Sequence, residues 1–175
     1  DIASKSRHES LAPLHKQHPS RQCKELMDGN GKYLLDIGCG NGAFAQFASE
    51  QGFTVVGIDF DKSSLEGARM RGLKNAKFYE TSLNDLEKIE GIPQSYDIIT
   101  MFEVFEHIDN PNECIDLIKR HLNKGGLFIG SLPNVDRSFM WKLNMDYERP
   151  PYHLTYWTIA SWKKFIERNG FELQS

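Results

Sequence analysis

From residue 33 onward, short apolar runs alternate along the chain with segments whose apolar residues recur every three or four positions. Runs rich in Val, Ile, Phe and Tyr predict β-strands, and the wider spacing predicts amphipathic helices. The sequence predicts strands over 33–37, 53–58, 76–79, 96–101 and 127–132, helices over 43–51, 62–70 and 110–122, and a turn over 123–126. Strands that alternate with helices pair in parallel through right-handed crossovers. The pattern therefore predicts a doubly wound, Rossmann-like α/β fold, in which helices cover both faces of a mostly parallel sheet.

The first 30 residues carry a weaker pattern. They begin as a polar arm, and a helix is predicted over 19–27, before the glycines at 29 and 31. We therefore divide the chain into an N-terminal arm and helix over 1–30 and one domain over 31–175.

The C-terminal part of the chain interrupts the alternation. An irregular stretch of about twenty residues follows Pro133, and a loop of that length in a compact domain usually has a function. Thr158 is expected to cap a helix that ends at Asn169, and 171–175 resembles a sixth strand that is cut short. An incomplete strand would leave a sheet edge without hydrogen-bonding partners.

The composition excludes several classes of protein. The chain has 175 residues, enough for one domain with a hydrophobic core, and its 39% apolar and 26% charged residues are typical of a soluble globular protein. The sequence contains no apolar run as long as a membrane span and no pattern typical of a secretory signal. Cys23, Cys39 and Cys114 lack metal-type spacing and are odd in number, so we expect a reducing, cytoplasmic location.

The charge of the chain restricts its partners. A formal net charge of −3 provides no overall positive field, and nucleic-acid binding depends on Lys and Arg that neutralise phosphates. The charge therefore argues against nucleic acid and favours a small-molecule ligand.

The turn after the first predicted strand, Asp-Ile-Gly-Cys-Gly-Asn-Gly at 36–42, carries the most information about function. Glycines allow left-handed backbone and close approach of a ligand, and the following helix offers unpaired N–H groups. Nucleotide-like cofactors bind to such turns. The spacing Gly38-x-Gly40-x-x-Ala43 also fits the dinucleotide fingerprint, with Asp59 near the position of a ribose-binding acid, so an NAD enzyme remains open at this point.

The acid at position 36 favours a cationic cofactor. A carboxylate at the end of the first strand would lie beside the position of a pyrophosphate in a dehydrogenase and would repel it. S-adenosylmethionine carries an ammonium and a sulfonium group and has no phosphate, so an acid near the turn attracts it. Asp59, at the end of the second strand, is suited to accept hydrogen bonds from two ribose hydroxyls.

Four segments together resemble the class I S-adenosylmethionine-dependent methyltransferases. They are Asp-x-Gly-x-Gly-x-Gly at 36–42, Val-Val-Gly-Ile-Asp at 55–59, Tyr-Asp-Ile-Ile-Thr-Met-Phe-Glu-Val-Phe-Glu-His-Ile at 96–108 and Leu-Asn-Lys-Gly-Gly at 122–126. The resemblance implies S-adenosylmethionine as cofactor and methyl transfer as activity. In this family a sixth and an antiparallel seventh strand close the sheet. We therefore expect that the chain is part of a longer polypeptide or that a partner chain covers its sheet edge.

The resemblance also implies which residues bind the cofactor. The glycine turn and its acid form the pocket for the methionine end, Asp59 holds the ribose, and residues after the fourth strand lie beside the sulfonium. The implied cofactor-binding residues are Asp36, Gly38, Cys39, Gly40, Gly42, Asp59, Phe60, Ser82, Leu83, Met101, Phe102 and Glu103. Where many relatives have an acid that meets the adenine amino group, this chain has Ser82, and we expect its hydroxyl and a backbone N–H to serve there.

A group of acids and a histidine, Glu-Val-Phe-Glu-His at 103–107, directly follows the fourth strand. If the segment begins a helical turn, residues three and four apart share a face, so Glu103, Glu106 and His107 converge. Such a set binds a divalent cation, Mg²⁺ through its oxygens or Zn²⁺ through its nitrogen, or acts as a general base.

The Glu-x-x-Glu-His pattern is similar to that of the quinone O-methyltransferases and of the small-RNA 3′-terminal 2′-O-methyltransferases, where such residues hold a metal near the acceptor oxygen. In the RNA enzymes a histidine from a later loop completes the site. The resemblance therefore implies a metal site of Glu103, Glu106, His107 and His153. Family members without a metal also carry Glu-His here, where it orients the turn. We expect His107, His153 and Glu103 to be the catalytic residues, with a histidine as the proton acceptor.

The acceptor itself is predicted only by class. Phe105, Trp141, Tyr147, Tyr152 and Trp157 are candidates to surround an aromatic or sugar acceptor, or to cover the edge of the sheet. We predict transfer of a methyl group to a hydroxyl of a small molecule, either a sugar or a quinone-like compound. The alternatives are an RNA 2′-O-methyltransferase, an NAD-dependent oxidoreductase and a non-catalytic Rossmann-fold binding module.

Overall fold

The computed structural model describes residues 24–136, 150 and 153–173. Its strands are β1 (Tyr33–Ile37), β2 (Thr54–Asp59), β3 (Ala76–Glu80), β4 (Tyr96–Phe102) and β5 (Leu122–Ser131). They form one sheet in the order β3-β2-β1-β4-β5, and every pairing is parallel. The described helices are α1 (Ala43–Glu50), α2 (Lys62–Met70), α3 (Pro111–His121) and α4 (Ile159–Arg168), with 3₁₀ turns at Lys24–Met27, Leu83–Lys88 and Phe105–His107. The predicted doubly wound parallel fold is confirmed.

The two faces of the sheet bury separate apolar clusters. Successive strand residues point to opposite faces, so Leu34 and Leu35 of β1 belong to different clusters. The first cluster joins the strands to α1 and α2, through Leu34, Val55, Phe78, Phe44, Phe47 and Leu65. The second joins them to α3 and α4, through Leu35, Val56, Ile99, Ile115, Ile118 and Ile166. Burial of each large apolar side chain contributes about 1.5–3 kcal/mol, so the helices are held on both faces.

Side-chain caps fix where three helices begin. Asp61 caps α2, Asn110 caps α3 and Thr158 caps α4, each by accepting a hydrogen bond from a backbone N–H of the first turn. The predicted cap at Thr158 is confirmed, and Pro111 lies in the first turn of α3. A cap of this kind stabilises a helix by about 1 kcal/mol. No helix in the described part of the chain has the length and apolar character needed to cross a bilayer.

β5 begins at Leu122, directly after α3, so the predicted turn over 123–126 is wrong. Tyr96 pairs with Leu122 and Ile98 pairs with Leu127, so a two-residue step on β4 lies opposite a five-residue step on β5. The extra residues form a bulge, in which turn-forming residues occur inside a strand. Their glycine-rich composition indicated the local backbone correctly, but it did not distinguish a bulge from a turn.

Both ends of the described chain differ from the predicted elements. Of the helix predicted over 19–27, only Lys24–Met27 lies within the described residues, and it forms a 3₁₀ turn. Of the strand predicted over 171–175, the described residues 171–173 pair with no strand, and the remainder lies outside the described residues. Within the described ranges, the outer edge of β5 is therefore an edge of the sheet.

A substitution at Gly57 of β2 tests how tightly the first apolar cluster is packed. A Cβ atom there would lie 2.6 Å from Phe78 Cδ1 and 2.9 Å from Cys39 Sγ. We expect Gly57→Ala to lower the free energy of unfolding by about 1–3 kcal/mol, because packed neighbours must move. Gly67→Ala on α2 is the control: its Cβ would lie 3.6 Å from Asn41, an ordinary contact. Since alanine favours helix, this control should raise the free energy of unfolding by about 0.5–1 kcal/mol.

Urea unfolding followed by circular dichroism measures both changes. Effects of the same sign and size in the two variants would contradict the packing argument.

Candidate active site

The glycine turn after β1 is bound to the end of β2. The N–H groups of Gly38 and Cys39 donate to the Ile58 carbonyl at 2.8 and 3.1 Å, and the Gly40 N–H donates to the Asp59 carboxylate at 2.8 Å. Gly40 has a φ of +50°, and no atom lies within 4 Å of the position that a Cβ would take. The turn therefore leaves space in which a ligand can approach the Gly40 backbone closely.

A cavity of about 610 Å³ opens beside this turn, at the carboxyl ends of β1, β2 and β4. Its volume lies in the range of small-molecule and cofactor sites. Four acids line it: Asp59, Glu103, Asp109 and Glu113. None of the described residues that line it is Lys or Arg. The cavity therefore has a negative potential, which favours a cationic ligand over one that contains phosphate.

Most residues predicted to bind the cofactor line this cavity. They are Gly38, Asp59, Phe60, Ser82, Leu83, Met101, Phe102 and Glu103. The others lie at the end of β1 or in the turn that follows it: Asp36, Cys39, Gly40 and Gly42. Phe60 is 76% exposed at the cavity wall, so it offers an aromatic face to a ligand. Cys39 is buried, and burial raises the pKa of its thiol well above the usual range, so it stays protonated.

Asp36 is a buried carboxyl group near the end of β1. Thr100 Oγ1 donates to its Oδ1 at 2.8 Å, whereas its Oδ2 has no hydrogen-bond partner among the described residues. Burial raises the pKa of Asp36 to about 7, against the lowering effect of the Thr100 hydrogen bond and with a further contribution from the negative charge of Asp59. A cation bound nearby would favour the ionised form of this group.

Asp59 links the glycine turn to the start of α2. Its Oδ2 accepts the hydrogen bond from Gly40, and its Oδ1 accepts one from the Asp61 N–H, also at 2.8 Å. A carboxylate has about four lone-pair positions, so each oxygen keeps acceptor capacity. Because Asp59 also lines the cavity, this arrangement fits the predicted contact with two ribose hydroxyls.

Ser82 has a second role that the sequence did not indicate. Its Oγ accepts a hydrogen bond from the Asp85 N–H and donates one to Asp85 Oδ2, both at 3.2 Å, and so caps the turn Leu83–Lys88. The hydroxyl has one proton, which is therefore used, and one acceptor position remains. That acceptor position is compatible with an amino group, so the predicted adenine contact can come from the Ser82 oxygen but not from its proton.

The turn after β4 carries a compact group of one acid and two histidines. The ligand atoms of Glu106, His107 and His153 all lie within 4.8 Å of one another. Glu106 is buried, its Oε1 lies 4.0 Å from His107 Nε2, and the two imidazole rings are 5.0 Å apart at an angle of 73°. One carboxylate and two imidazoles form a donor set typical of catalytic zinc sites. The same geometry also suits a histidine base that is supported by a buried carboxylate.

Backbone hydrogen bonds bring His153 to this turn. The Glu106 carbonyl accepts hydrogen bonds from the two N–H groups that follow His153, at 2.8 and 3.0 Å. Further along, the Val135 N–H donates to the Trp157 carbonyl at 3.0 Å. The chain before and after the irregular stretch therefore lies side by side next to the turn at Phe105–His107.

Glu103 lies apart from this group. It has a φ of +55°, and the 3₁₀ turn begins only at Phe105, so the predicted helical face shared with Glu106 and His107 is wrong. Its Oε1 instead accepts a hydrogen bond from Ser131 Oγ at 2.7 Å. The cluster thus contains three of the four predicted metal ligands, while Glu103 lines the cavity together with His107.

Two of the aromatic candidates pack in the core instead of surrounding an acceptor. The Phe105 ring is buried, 4.8 Å from the Trp162 ring and 5.8 Å from the Trp157 ring. Edge-to-face contacts of this kind stabilise a cluster by about 0.5–1.5 kcal/mol each. Trp141, Tyr147 and Tyr152 lie outside the described residues.

A second wall of the cavity was not predicted. It consists of side chains on α3 and on the turns beside it: Asn84, Asn110, Glu113, Cys114 and Leu117. The amide groups of Asn84 and Asn110 donate to the two oxygens of Glu113, both at 3.0 Å. Burial raises the pKa of Cys114 to about 12, so its thiol is neutral. The sequence predicted a helix over 110–122, but not that this helix borders a cavity.

Comparison with known proteins agrees with this fold. Residues 10–175 match a family model described as a methyltransferase domain, which covers nearly the whole chain. The chain belongs to the class I S-adenosylmethionine-dependent methyltransferases. The resemblance indicated by the four motifs is thereby confirmed.

The chain is similar to enzymes of ubiquinone biosynthesis. It is 32% identical over 136 residues to the ubiquinone biosynthesis O-methyltransferase of Aliivibrio fischeri strain MJ11, a match that covers 75% of this chain and 58% of the relative. It is 31% identical over 139 residues to the corresponding enzyme of Hahella chejuensis, with 75% and 57% covered. The chain thus spans less than two thirds of the length of these relatives.

Solved methyltransferases share the fold. The structure is similar to an S-adenosylmethionine-dependent methyltransferase from Aquifex aeolicus, with a TM-score of 0.72, 20% identity, and coverage of 100% of this chain and 90% of the other. For an S-adenosylmethionine-dependent methyltransferase from Mesorhizobium loti the TM-score is 0.69, the identity 18%, and the coverage 89% and 80%.

The raised pKa of Asp36 predicts a dependence of stability on pH. Between about pH 4 and pH 7 the folded protein keeps a proton that the unfolded chain has lost, so stability is full at low pH and falls as pH rises through the pKa of about 7. We expect Asp36→Asn to remove this fall, which amounts to about 4 kcal/mol. The asparagine keeps an acceptor for Thr100.

Unfolding free energies of the wild type and of Asp36→Asn, measured from about pH 4 to 8, test this prediction. Asp116→Asn, a change at an exposed acid of α3, is the control and should follow the wild type. Parallel pH profiles for the wild type and Asp36→Asn would contradict it.

Proposed function

We propose that this methyltransferase transfers the methyl group of S-adenosylmethionine to a hydroxyl group of a small quinone-like molecule. The acid-lined cavity, whose described lining residues include no Lys or Arg, is the observation that carries the proposal. S-adenosylmethionine has two cationic groups and no phosphate, so this cavity attracts it. The same charges repel the pyrophosphate of NAD, which argues against an NAD-dependent oxidoreductase.

The residues present fit the cofactor at three places. The Asp36 carboxyl has an oxygen without a partner among the described residues, near the turn that would receive the ammonium group. Asp59 retains acceptor capacity for the ribose hydroxyls. Leu83 and Phe60 provide apolar surface in the cavity wall that suits the adenine ring. These fits support assignment of the glycine turn and its neighbours as the cofactor site.

When bound, the cofactor supplies an electrophilic methyl group. Methyl transfer to a hydroxyl would require the protein to align the acceptor oxygen with this methyl group and to take the hydroxyl proton. His107 lines the cavity and lies 4.0 Å from the buried Glu106 carboxylate, which stabilises the imidazolium formed by proton transfer. We assign His107 as the general base, beside His153, with Glu103 in the same cavity.

Two considerations favour a quinone-like acceptor. The curated relatives from Aliivibrio fischeri and Hahella chejuensis are both ubiquinone biosynthesis O-methyltransferases. In addition, a phenolic hydroxyl has a pKa near 10, about that of tyrosine, so it gives its proton to a histidine more readily than a sugar hydroxyl does. RNA as acceptor is disfavoured, because the acidic cavity repels phosphates.

The cluster of Glu106, His107 and His153 also supports a divalent metal in the acceptor site. Their ligand atoms lie within 4.8 Å of one another, a spacing at which all three could bind one ion. A metal held there would bind the acceptor hydroxyl and lower its pKa, which replaces the need for a histidine base. The two mechanisms use the same residues and differ in their dependence on chelators.

Cofactor binding is tested by titration calorimetry with S-adenosylhomocysteine. We expect the wild type to bind it and to show no binding of NADH. Asp59→Asn removes the charge and one acceptor oxygen, so it should weaken binding by about 10- to 100-fold. Asp116→Asn, which removes the same charge at an exposed site on α3, should leave the affinity unchanged. Absence of binding by the wild type would remove the proposal.

The role of His107 is tested by methyl transfer to catechol, followed by mass spectrometry of the product. We expect His107→Gln to lower the rate at saturating cofactor by about 10²- to 10³-fold, with S-adenosylhomocysteine affinity unchanged. If a metal is required, EDTA will abolish the reaction, and Glu106→Gln and His153→Gln will each lower the methyl-transfer rate as much as His107→Gln does. If His107 is the base, EDTA will have no effect. Full activity of His107→Gln would contradict both mechanisms.

A further inference from the structure

The side chain of Arg71, the residue directly after α2, also forms hydrogen bonds to the glycine turn. Its Nε donates to the Asn41 carbonyl at 2.6 Å, its Nη1 to Gln46 Oε1 at 2.6 Å, and its Nη2 to Asn41 Oδ1 at 3.4 Å. Arg71 is half-buried and lies 30 residues from Asn41 in the sequence. One planar guanidinium group therefore joins the end of α2 to the glycine turn and to the first turns of α1.

These contacts hold one peptide group of the turn at both of its ends. The Asn41 carbonyl accepts from Arg71, and the N–H of the same peptide, on Gly42, donates to the Cys39 carbonyl at 3.0 Å. Asn41 Oδ1 also accepts a hydrogen bond from the Ala43 N–H at 3.2 Å. Gly42, the N-cap residue of α1, has no side chain to supply that acceptor. Asn41 therefore caps α1 in its place, and Arg71 fixes Asn41.

Arg71 is not among the residues that line the cavity, whereas Asp59 is. Asp59, in the cavity wall, accepts a hydrogen bond from Gly40 of the turn. Arg71, which does not line the cavity, donates one to Asn41 of the same turn. The two contacts lie at opposite ends of α2, since Asp61 caps the start of this helix and Arg71 ends it. α2 thus connects two charged groups of opposite sign that both hold the glycine turn.

We propose that Arg71 is a positioning residue for cofactor binding, which holds Asn41 and so keeps Gly40 and Gly42 in the conformation that receives the methionine end of S-adenosylmethionine. The inference rests on the proposed cofactor. A turn that must become ordered on binding reduces affinity, whereas a turn that is already ordered does not. Arg71 therefore increases affinity without contact to the ligand.

The test compares Arg71→Gln and Arg71→Lys with a matched control, Arg69→Gln. Arg69 lies on the same helix and carries the same charge, but its Nη2 donates at 3.0 Å to the Phe78 carbonyl on β3 and not to the glycine turn. Two readouts are needed: S-adenosylhomocysteine affinity by calorimetry, and amide hydrogen exchange by NMR in the protein without cofactor.

We expect Arg71→Gln to weaken S-adenosylhomocysteine binding by about tenfold or more, while Arg69→Gln changes it by less than about twofold. The affinity of Arg71→Lys should lie between those of Arg71→Gln and the wild type. An ammonium group can reach one acceptor, but it lacks the planar fork of donors that spans Asn41 and Gln46. Exchange of the Gly42 and Gln46 amides should accelerate in Arg71→Gln and stay unchanged in Arg69→Gln. The kcat for catechol at saturating cofactor should be unchanged.

Equal losses of affinity in Arg71→Gln and Arg69→Gln would overturn the inference, and so would unchanged exchange of the Gly42 amide. If Arg71→Gln does not fold, Arg71→Lys decides by the same two readouts, and wild-type values for it would overturn the inference. If the wild type itself does not bind S-adenosylhomocysteine, the proposed function fails. The exchange data then still report whether Arg71 orders the turn.

Discussion

The hydrogen bond from the Gly40 N–H to the Asp59 carboxylate joins two parts of the chain that are 19 residues apart. It forms because β1 and β2 pair in parallel with Ile37 opposite Ile58, so the glycine turn and Asp59 leave the sheet at the same edge. An antiparallel pairing would send the two ends in opposite directions. The part of the cavity that we propose binds the cofactor, beside the glycine turn and Asp59, therefore depends on the register of two buried strands.

This arrangement brings two carboxyl groups into one region at a cost to the free protein. Asp36 is buried, and its charge interacts unfavourably with that of Asp59, which is one reason why its pKa is raised to about 7. The sequence predicted a preference for a cation from Asp36 alone, whereas the structure adds acids that no motif indicated, such as Asp109 and Glu113. Repulsion between these acids lowers the stability of the free protein. A bound cation relieves that repulsion, so the same charges favour cation binding.

Parts of the molecule were predictable from sequence because they depend on local pattern. Alternating apolar runs predicted the strands, and the four motifs predicted the family. The predictions that were wrong concern features that depend on single backbone angles or on residues distant in the sequence. Glu103 leaves the predicted helical face because its φ is +55°, and the glycines of 123–126 form a bulge because β4 continues opposite them. The cavity wall on α3 could not be predicted, because the spacing of apolar residues does not show where Glu113 lies in the folded protein.

The proposed cofactor site at the glycine turn and the proposed acceptor site at His107 and His153 differ in what holds them. Ladder hydrogen bonds of a buried sheet fix the ends of β1, β2 and β4, whereas the chain directly after His153 lies outside the sheet and donates two backbone hydrogen bonds to the Glu106 carbonyl. Segments held by few backbone hydrogen bonds open at lower free energy than buried strands. The two parts of the proposed site are therefore held by different kinds of contact. The sequence of one strand and turn accordingly predicted a cationic cofactor, whereas the proposed acceptor rests on the names of the relatives.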